Sequence, residues 1–228
     1  MVVPVGSLVN AGAVALGGLC GWAAGRVIGD RLRDSLFQVL GLCTILIGLQ
    51  MALGAENVIL VILSCVLGTV AGEALNLAGR LGRAGDVLKK LLRSENDQFT
   101  DGLVTTSTII CIGAMSIVGA LEEGLGGGRG TLLSKSILDF FVVMMLASVY
   151  GSGSVAAAIP LLIYQGGLTL LAGFLAPYVT DGVRSVLTAT GGLIIVGIGV
   201  NLLGIKKITI ENILPALLFA IFLGAFLA

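Results

Sequence analysis

Lys135 and Asp139 stand four residues apart in the stretch LLSKSILDFFVVMMLASVYG, Leu132 to Gly151, one helical turn from each other at the start of an otherwise apolar run. An ionisable side chain inside a membrane is costly and commonly faces a partner or a water-filled path. The pair can anchor a helix end, or it can form a neutral couple that a proton, a cation or a charged solute splits. Asn10, Gln50, Gln165 and Asn201 are amides set in apolar stretches beside glycine, and Tyr164 adjoins Gln165. Such amides can tie helices together or line a common polar path. Glu73 and Asn76 fall near the end of the third apolar stretch, where a carboxylate can snorkel to water or serve the same path. Glu122 and Glu123 follow CIGAMSIVGAL at the end of the fourth, where they mark a helix end or the point at which a cation gains access.

Other chemistries find little support. The chain has no histidine for general-base or metal chemistry, and no HExxH or GxSxG pattern. An aspartyl mechanism lacks an obvious second acid at the depth of Asp139, and a serine–lysine mechanism stays formally open. Cys20, Cys43, Cys65 and Cys111 have irregular spacing and no CxxC, which reads as small buried hydrophobes rather than a disulfide framework or a metal site. No enzyme activity, cofactor, metal or nucleic-acid partner is expected.

The elements that must position these residues follow from composition. Of 228 residues, 57% are hydrophobic and 11% charged, and the mean hydropathy is +1.09. Soluble domains carry about a quarter charged residues. An all-α polytopic membrane protein is the expectation, a single transmembrane domain over residues 1–228 with membrane lipid as its surroundings. Apolar stretches at about 5–25, 35–54, 57–77, 103–121, 136–150, 154–176, 186–204 and 209–227 predict eight spans. The fifth is short and abuts Gly151 to Ser154, so it is tilted, or pairs with the fourth as a broken element, and seven spans is the alternative count. The start, MVVPVGSLVN, has no basic region before its apolar stretch, so the first helix is expected to be retained rather than cleaved as a signal.

Basic residues near span ends are retained on the cytoplasmic side. With both termini outside, the cytoplasmic loops hold Arg26, Arg31, Arg33, Arg80, Arg83, Lys89, Lys90, Arg93, Lys206 and Lys207, ten of thirteen, and leave Arg129, Lys135 and Arg184 on the outer side. The connector 79–102 places Val87, Leu88, Leu91 and Leu92 on one helical face with Lys89, Lys90 and Arg93 beside them. That pattern suits a short helix on the anionic inner leaflet, or a plain topology signal.

The chain also repeats itself. GLCTILIGLQMALG, from Gly41, aligns with GLIIVGIGVNLLG, from Gly192, so that Gly41, Gly48 and Gln50 meet Gly192, Gly199 and Asn201. At the same offset Asp30 and Arg33 meet Asp181 and Arg184, and with a one-turn gap Asn10 to Gly12 can be laid on Gln165 to Gly167. Repeat A then spans about 5–78 and repeat B about 154–228, with central helices over 103–150. An offset of five spans inverts one copy relative to the other, and the loop charge moves accordingly from the loop after the first span of repeat A to the loop after the second span of repeat B. Inverted repeats are an architecture of secondary transporters. Gly17, Gly21 and Gly25, and Gly68 and Gly72, form rows that let helix backbones approach.

The segments GSLVNAGAVALGGLCG, CIGAMSIVGALEEGL, LLSKSILDFF, AIPLLIYQGGLTLLAG and TGGLIIVGIGVNLLGIKKITIENILPAL together resemble the YqgA-type family of bacterial membrane proteins, a domain of unknown function, over most of the chain. The resemblance implies a multi-pass protein of the bacterial inner membrane and a transporter label. It brings no substrate and no site residues.

Three functions remain open. The leading expectation is a secondary transporter of a small solute or ion, working by alternating access at Asp139 and Lys135 with Asn10, Gln50, Gln165, Asn201, Tyr164 and Glu73 as polar lining. A channel would use the same lining as a continuous water path with Glu122 and Glu123 near its mouth. A non-transporting assembly subunit is the third, and the small size leaves room for a homodimer.

Overall fold

The computed structural model describes residues 3–24, 30–80, 83, 97–111 and 114–227, and every regular element among them is a helix. In chain order these are α1 (Val5–Ala24), α2 (Asp30–Leu53), α3 (Val58–Ala74), α4 (Asp97–Cys111), α5 (Ala114–Gly124), α6 (Gly130–Tyr150), α7 (Ser152–Ala156), α8 (Ala158–Leu175), α9 (Asp181–Leu202), α10 (Ile210–Ile213) and α11 (Ala216–Leu227). Most are set by unbroken apolar runs whose backbone must satisfy itself where water is absent. Two starts are fixed by side-chain caps: Asn57 accepts the Leu60 N–H at 3.3 Å, and Thr180 accepts the Val183 N–H at 3.3 Å. Gly151, with φ 75°, stands at the α6–α7 junction in a backbone region that suits glycine.

Five helical stretches are long and apolar enough to cross a membrane: α1, Asp34–Leu53, α6, Ser152–Leu175 and α9. Phe99–Cys111 and Met115–Gly124, bent by 59°, make a sixth if they form one span, and Val58–Ala74 and Ile210–Phe226 are shorter apolar stretches. These lie where the sequence places its eight apolar segments. Two local expectations change. The fifth segment is not short, because α6 begins at Gly130 and carries Lys135 and Asp139 inside a 21-residue helix. The break belongs to the fourth segment alone, between α4 and α5, rather than to a pairing of the fourth with the fifth. The amphipathic helix expected around Val87 to Arg93 lies outside the described residues, and α4 begins at Asp97, earlier than residue 103.

Glycine sets the closest helix contacts. A β-carbon on Gly17 or Gly21 would overlap the Phe140 or Met144 carbonyl, so α1 and α6 run parallel in backbone contact. Gly25 lies outside the described residues. On the other side of the bundle, α2 and α9 cross antiparallel: a β-carbon on Gly41 would lie 3.2 Å from the Gly199 carbonyl oxygen, and one on Gly48 2.6 Å from that of Gly192. Gly68 and Gly72 of α3 meet Ala216 and Asn212 in the same antiparallel way. Dispersion at such contacts replaces the hydrophobic drive that lipid removes.

Both termini lie at one end of the bundle. Gly6 adjoins Glu123 and Leu132, Gly124 adjoins Thr169 and Ala172, and Gly224 adjoins Val183. Arg31, Arg80, Arg83, Lys206 and Lys207 belong to the opposite end, at the α2 start, after α3 and after α9. The outer surface is apolar: Ile59, Ile163, Phe174, Leu218 and Phe226 are each at least 69% exposed, which only lipid or a partner makes tolerable. Cys20 and Cys43 also sit on exposed surface rather than in the interior, and Cys65 and Cys111 are half-buried; all four are free.

Candidate functional site

The membrane-buried polar centre is built on α1, α6 and α8. Four residues along α6, Lys135 Nζ donates to Asp139 Oδ2 as an i,i+4 ion pair. The parallel α1 places Asn10 opposite, and its Nδ2 donates at 3.0 Å to Asp139 Oδ2 and at 3.0 Å to Gln165 Oε1 of α8. All four residues are at least 94% buried. Thr169, one turn beyond Gln165, donates to the Gln165 carbonyl at 3.1 Å and lies 3.3 Å from the Ser7 hydroxyl. Asp139 is nine residues into the 21-residue α6, ~13.5 Å from its start at ~1.5 Å per residue, and so stands near the middle of that helix.

The pair forms part of a cavity wall. A cavity of about 240 Å³ lies between α4, α5, α6, α9 and α10, with Ile110, Leu138, Ile198 and Leu202 as apolar lining and Lys135, Asp139, Asn201 and Glu211 as polar lining. It holds roughly eight waters at ~30 Å³ each. Its lining includes Asn201 and Leu202 at the end of α9 and Ile210 and Glu211 of α10, the residues that flank the turn bearing Lys206 and Lys207, so it lies toward the basic end of the bundle. Both donors to Asp139 use Oδ2, and Oδ1 has no hydrogen bond among the described residues. Asn10 Oδ1 and Gln165 Nε2 are buried without partners among the described residues, so the network has a spare acceptor and a spare donor at its core.

The terminal end is held by polar contacts. Glu123, 95% buried, accepts the Gly6 N–H at 2.7 Å and pairs with Arg129 Nε at 3.0 Å, joining the α1 start, the α5 end and the loop into α6. Glu122 accepts the Thr131 N–H at 3.4 Å, and the Thr131 hydroxyl reaches Met51 Sδ at 3.3 Å. Beside them a crevice of only about 10 Å³ lies between Met51, Val118, Glu122, Arg184 and Thr188.

A family model described as a protein of unknown function (DUF554) matches residues 5–225. The chain belongs to this family. Two relatives agree across nearly the whole length. One, the uncharacterized protein YqgA of Escherichia coli (strain K12), is 32% identical over 226 residues, 97% of this chain and 96% of that one. The other, the uncharacterized membrane protein YdfK of Bacillus subtilis (strain 168), is 31% identical over 217 residues, 93% and 92% of the two chains. No solved structure matches significantly. Family membership and the apolar helices together make this a helical membrane protein.

Of the residues read from the sequence, the family member's fold brings Lys135, Asp139, Asn10 and Gln165 into one network and leaves the others apart. Asn201 lines the same cavity, but its amide is engaged by the backbone of Ile208, donating at 2.8 Å and accepting at 2.7 Å. Gln50 and Glu73 are exposed, and Tyr164 is 36% exposed beside the buried Gln165. Glu122 and Glu123, read as a helix end or a point of cation access, hold contacts to Thr131, Gly6 and Arg129. Sequence reasoning missed Ser7, Thr169 and Glu211. The first two carry small hydroxyls common in apolar helices, and Glu211 sits just after the Lys206–Lys207 turn, where an acid reads as loop polarity.

Proposed function

We propose that this protein is a small secondary transporter in which a solute or ion reaches Asp139 and Lys135 alternately from the two sides of the membrane. The observation that carries this reading is the position of the Lys135–Asp139 pair, buried within the 21-residue α6, bonded on one side to Asn10 and facing a cavity on the other. A pair that only anchored a helix end would not need a cavity of about 240 Å³ beside it. Neither the Asn10–Gln165 amides nor Glu123 line the cavity, and their contacts tie helices together elsewhere in the bundle, which favours a carrier over a continuous channel.

The repeat supports the same reading. Gly41 faces Gly199 and Gly48 faces Gly192, so exchanging the two aligned helices reproduces their crossing, as a pseudo-two-fold axis would require. Asn10 and Gln165, aligned in the two copies, hydrogen-bond to each other near that axis. Leu202 lines the cavity, and Met51, its aligned counterpart, lines the crevice of about 10 Å³ at the other end. One side open and its related side shut is what one half of an alternating cycle looks like. With basic residues retained inside, the open side is cytoplasmic, both termini are outside, and eight segments cross the inner membrane of a bacterium.

Flux into proteoliposomes of the purified protein, screened over inorganic ions, amino acids, organic acids and amines, tests the proposal. A solute whose uptake saturates and is abolished by Asp139→Asn in folded protein supports it. Uptake absent for every solute class, or unchanged by the substitution, contradicts it.

A further inference from the structure

Resting on the transport reading, we infer that the cavity takes a small primary amine in its ammonium form, with Asp139 and Glu211 as its carboxylate partners. The cavity wall holds two carboxylates, Asp139 and Glu211, and one ammonium, Lys135, so one negative charge is in excess. Lys135 already lies on Asp139 Oδ2, and Oδ1 of that carboxylate is the acceptor left for a ligand. A ligand ammonium there forms a charge-assisted hydrogen bond, and it competes with Lys135 for one carboxylate. Glu211, in the short helix α10 at the mouth, supplies the second anion on the path inward.

Cavity shape and lining narrow the class. A bare inorganic cation needs several oxygen ligands at short range, whereas most of this wall is aliphatic, with Ile109, Ile110, Leu138, Val142, Ile198 and Leu202. Those side chains suit an alkyl body, and a space of about 240 Å³ is far larger than one dehydrated ion. No aromatic side chain lines the cavity among the described residues, so nothing there provides the cation–π face that quaternary ammonium groups favour. Recognition must then come from N–H donors to carboxylate, which primary amines have and tetraalkylammonium ions lack. Among the lining residues an anionic ligand would meet only the Lys135 ammonium, which is already held by Asp139, while Lys206 and Lys207 lie outside the lining.

The test is thermal unfolding of the purified full-length protein in detergent, at constant ionic strength, with n-butylammonium, tetramethylammonium, potassium or butyrate added. The variants are Asp139→Asn, Glu211→Gln and Lys135→Met, and proteoliposome uptake is measured alongside. A ligand that binds the folded form raises its apparent Tm with concentration. Butylammonium is expected to raise it, with apparent affinity falling about tenfold or more in Glu211→Gln and Asp139→Asn. Tetramethylammonium, potassium and butyrate are expected to have no specific effect. Because Asp139→Asn leaves Lys135 unpaired and can fail to fold, Glu211→Gln carries the result by itself. Equal stabilisation by tetramethylammonium or potassium, or a butyrate effect lost in Lys135→Met, overturns the amine assignment. Absence of any amine effect also overturns it; Asp139-dependent uptake of another solute would then leave the transport reading standing, and absence of all uptake would remove both.

Discussion

The side-chain amides of Asn10 and Gln165 meet at 3.0 Å in the buried centre of the bundle, although 155 positions separate them in the chain. The same Asn10 nitrogen reaches Asp139, so one amide links α1, α6 and α8. Asn10→Ala removes that donor and leaves Gln165 Oε1 without a partner. A buried polar group left unsatisfied costs about 1–3 kcal/mol, and exposed substitutions usually stay within about 0.5 kcal/mol. Thermal unfolding in detergent is therefore expected to show a clear fall in Tm for Asn10→Ala and almost none for Gln50→Ala. Equal effects would mean that the network does not hold the helices together.

The ion pair separates stability from transport. Asp139→Leu alone leaves the Lys135 charge buried and unpaired, an arrangement that costs about 3–5 kcal/mol. Lys135→Met combined with Asp139→Leu removes both charges and is expected to recover most of the wild-type stability while uptake stays absent. A double variant that transports normally would assign the pair a purely structural role.

How much of this could be read from the chain depends on the residue. The Lys135–Asp139 spacing and the apolar surroundings were enough to mark the site, because four residues along a helix fix two side chains on one face whatever the tertiary structure. The amides were harder. Asn10, Gln50, Gln165 and Asn201 look alike in sequence, each an amide near glycine in an apolar stretch, and only packing decides which face is inside. Gln50 turns to the surface and Asn201 holds its own loop. The start of α6 is hidden for a related reason: Lys135 ends the apolar window at residue 136, but in the fold it pairs with Asp139 and the helix runs back to Gly130. Glu123 read as a polar helix end, and its burial follows from Arg129 and the Gly6 N–H arriving from distant segments.

Glycine positions divide sharply. Gly21 packs against the Met144 carbonyl, while a β-carbon on Gly12 would meet nothing within 4 Å. Gly21→Val is expected to separate α1 from α6 and lower both Tm and folded yield, whereas Gly12→Ala should be tolerated. Size-exclusion profiles and unfolding curves of the two variants check this; a stable Gly21→Val protein would contradict the close α1–α6 contact.

Glu123 holds the closed end by its bonds to Gly6 and Arg129. Glu123→Ala should loosen that end and expose the crevice beside Thr188 to water, while Arg31 and the opposite end remain unaffected. A cysteine replacing Thr188, in a chain with Cys20, Cys43, Cys65 and Cys111 replaced by alanine, should label faster with a membrane-impermeant maleimide when Glu123→Ala is added.

Alternating access itself is tested most directly by following both sides at once. Cysteines replacing Ile198 in the open cavity and Thr188 in the closed crevice are labelled in membranes, each with and without Glu123→Ala. The account predicts reciprocity: with Glu123 present, position 198 labels and position 188 does not, and Glu123→Ala raises labelling at 188 while lowering it at 198. Labelling that rises at both positions together, or stays fixed at both, would contradict it.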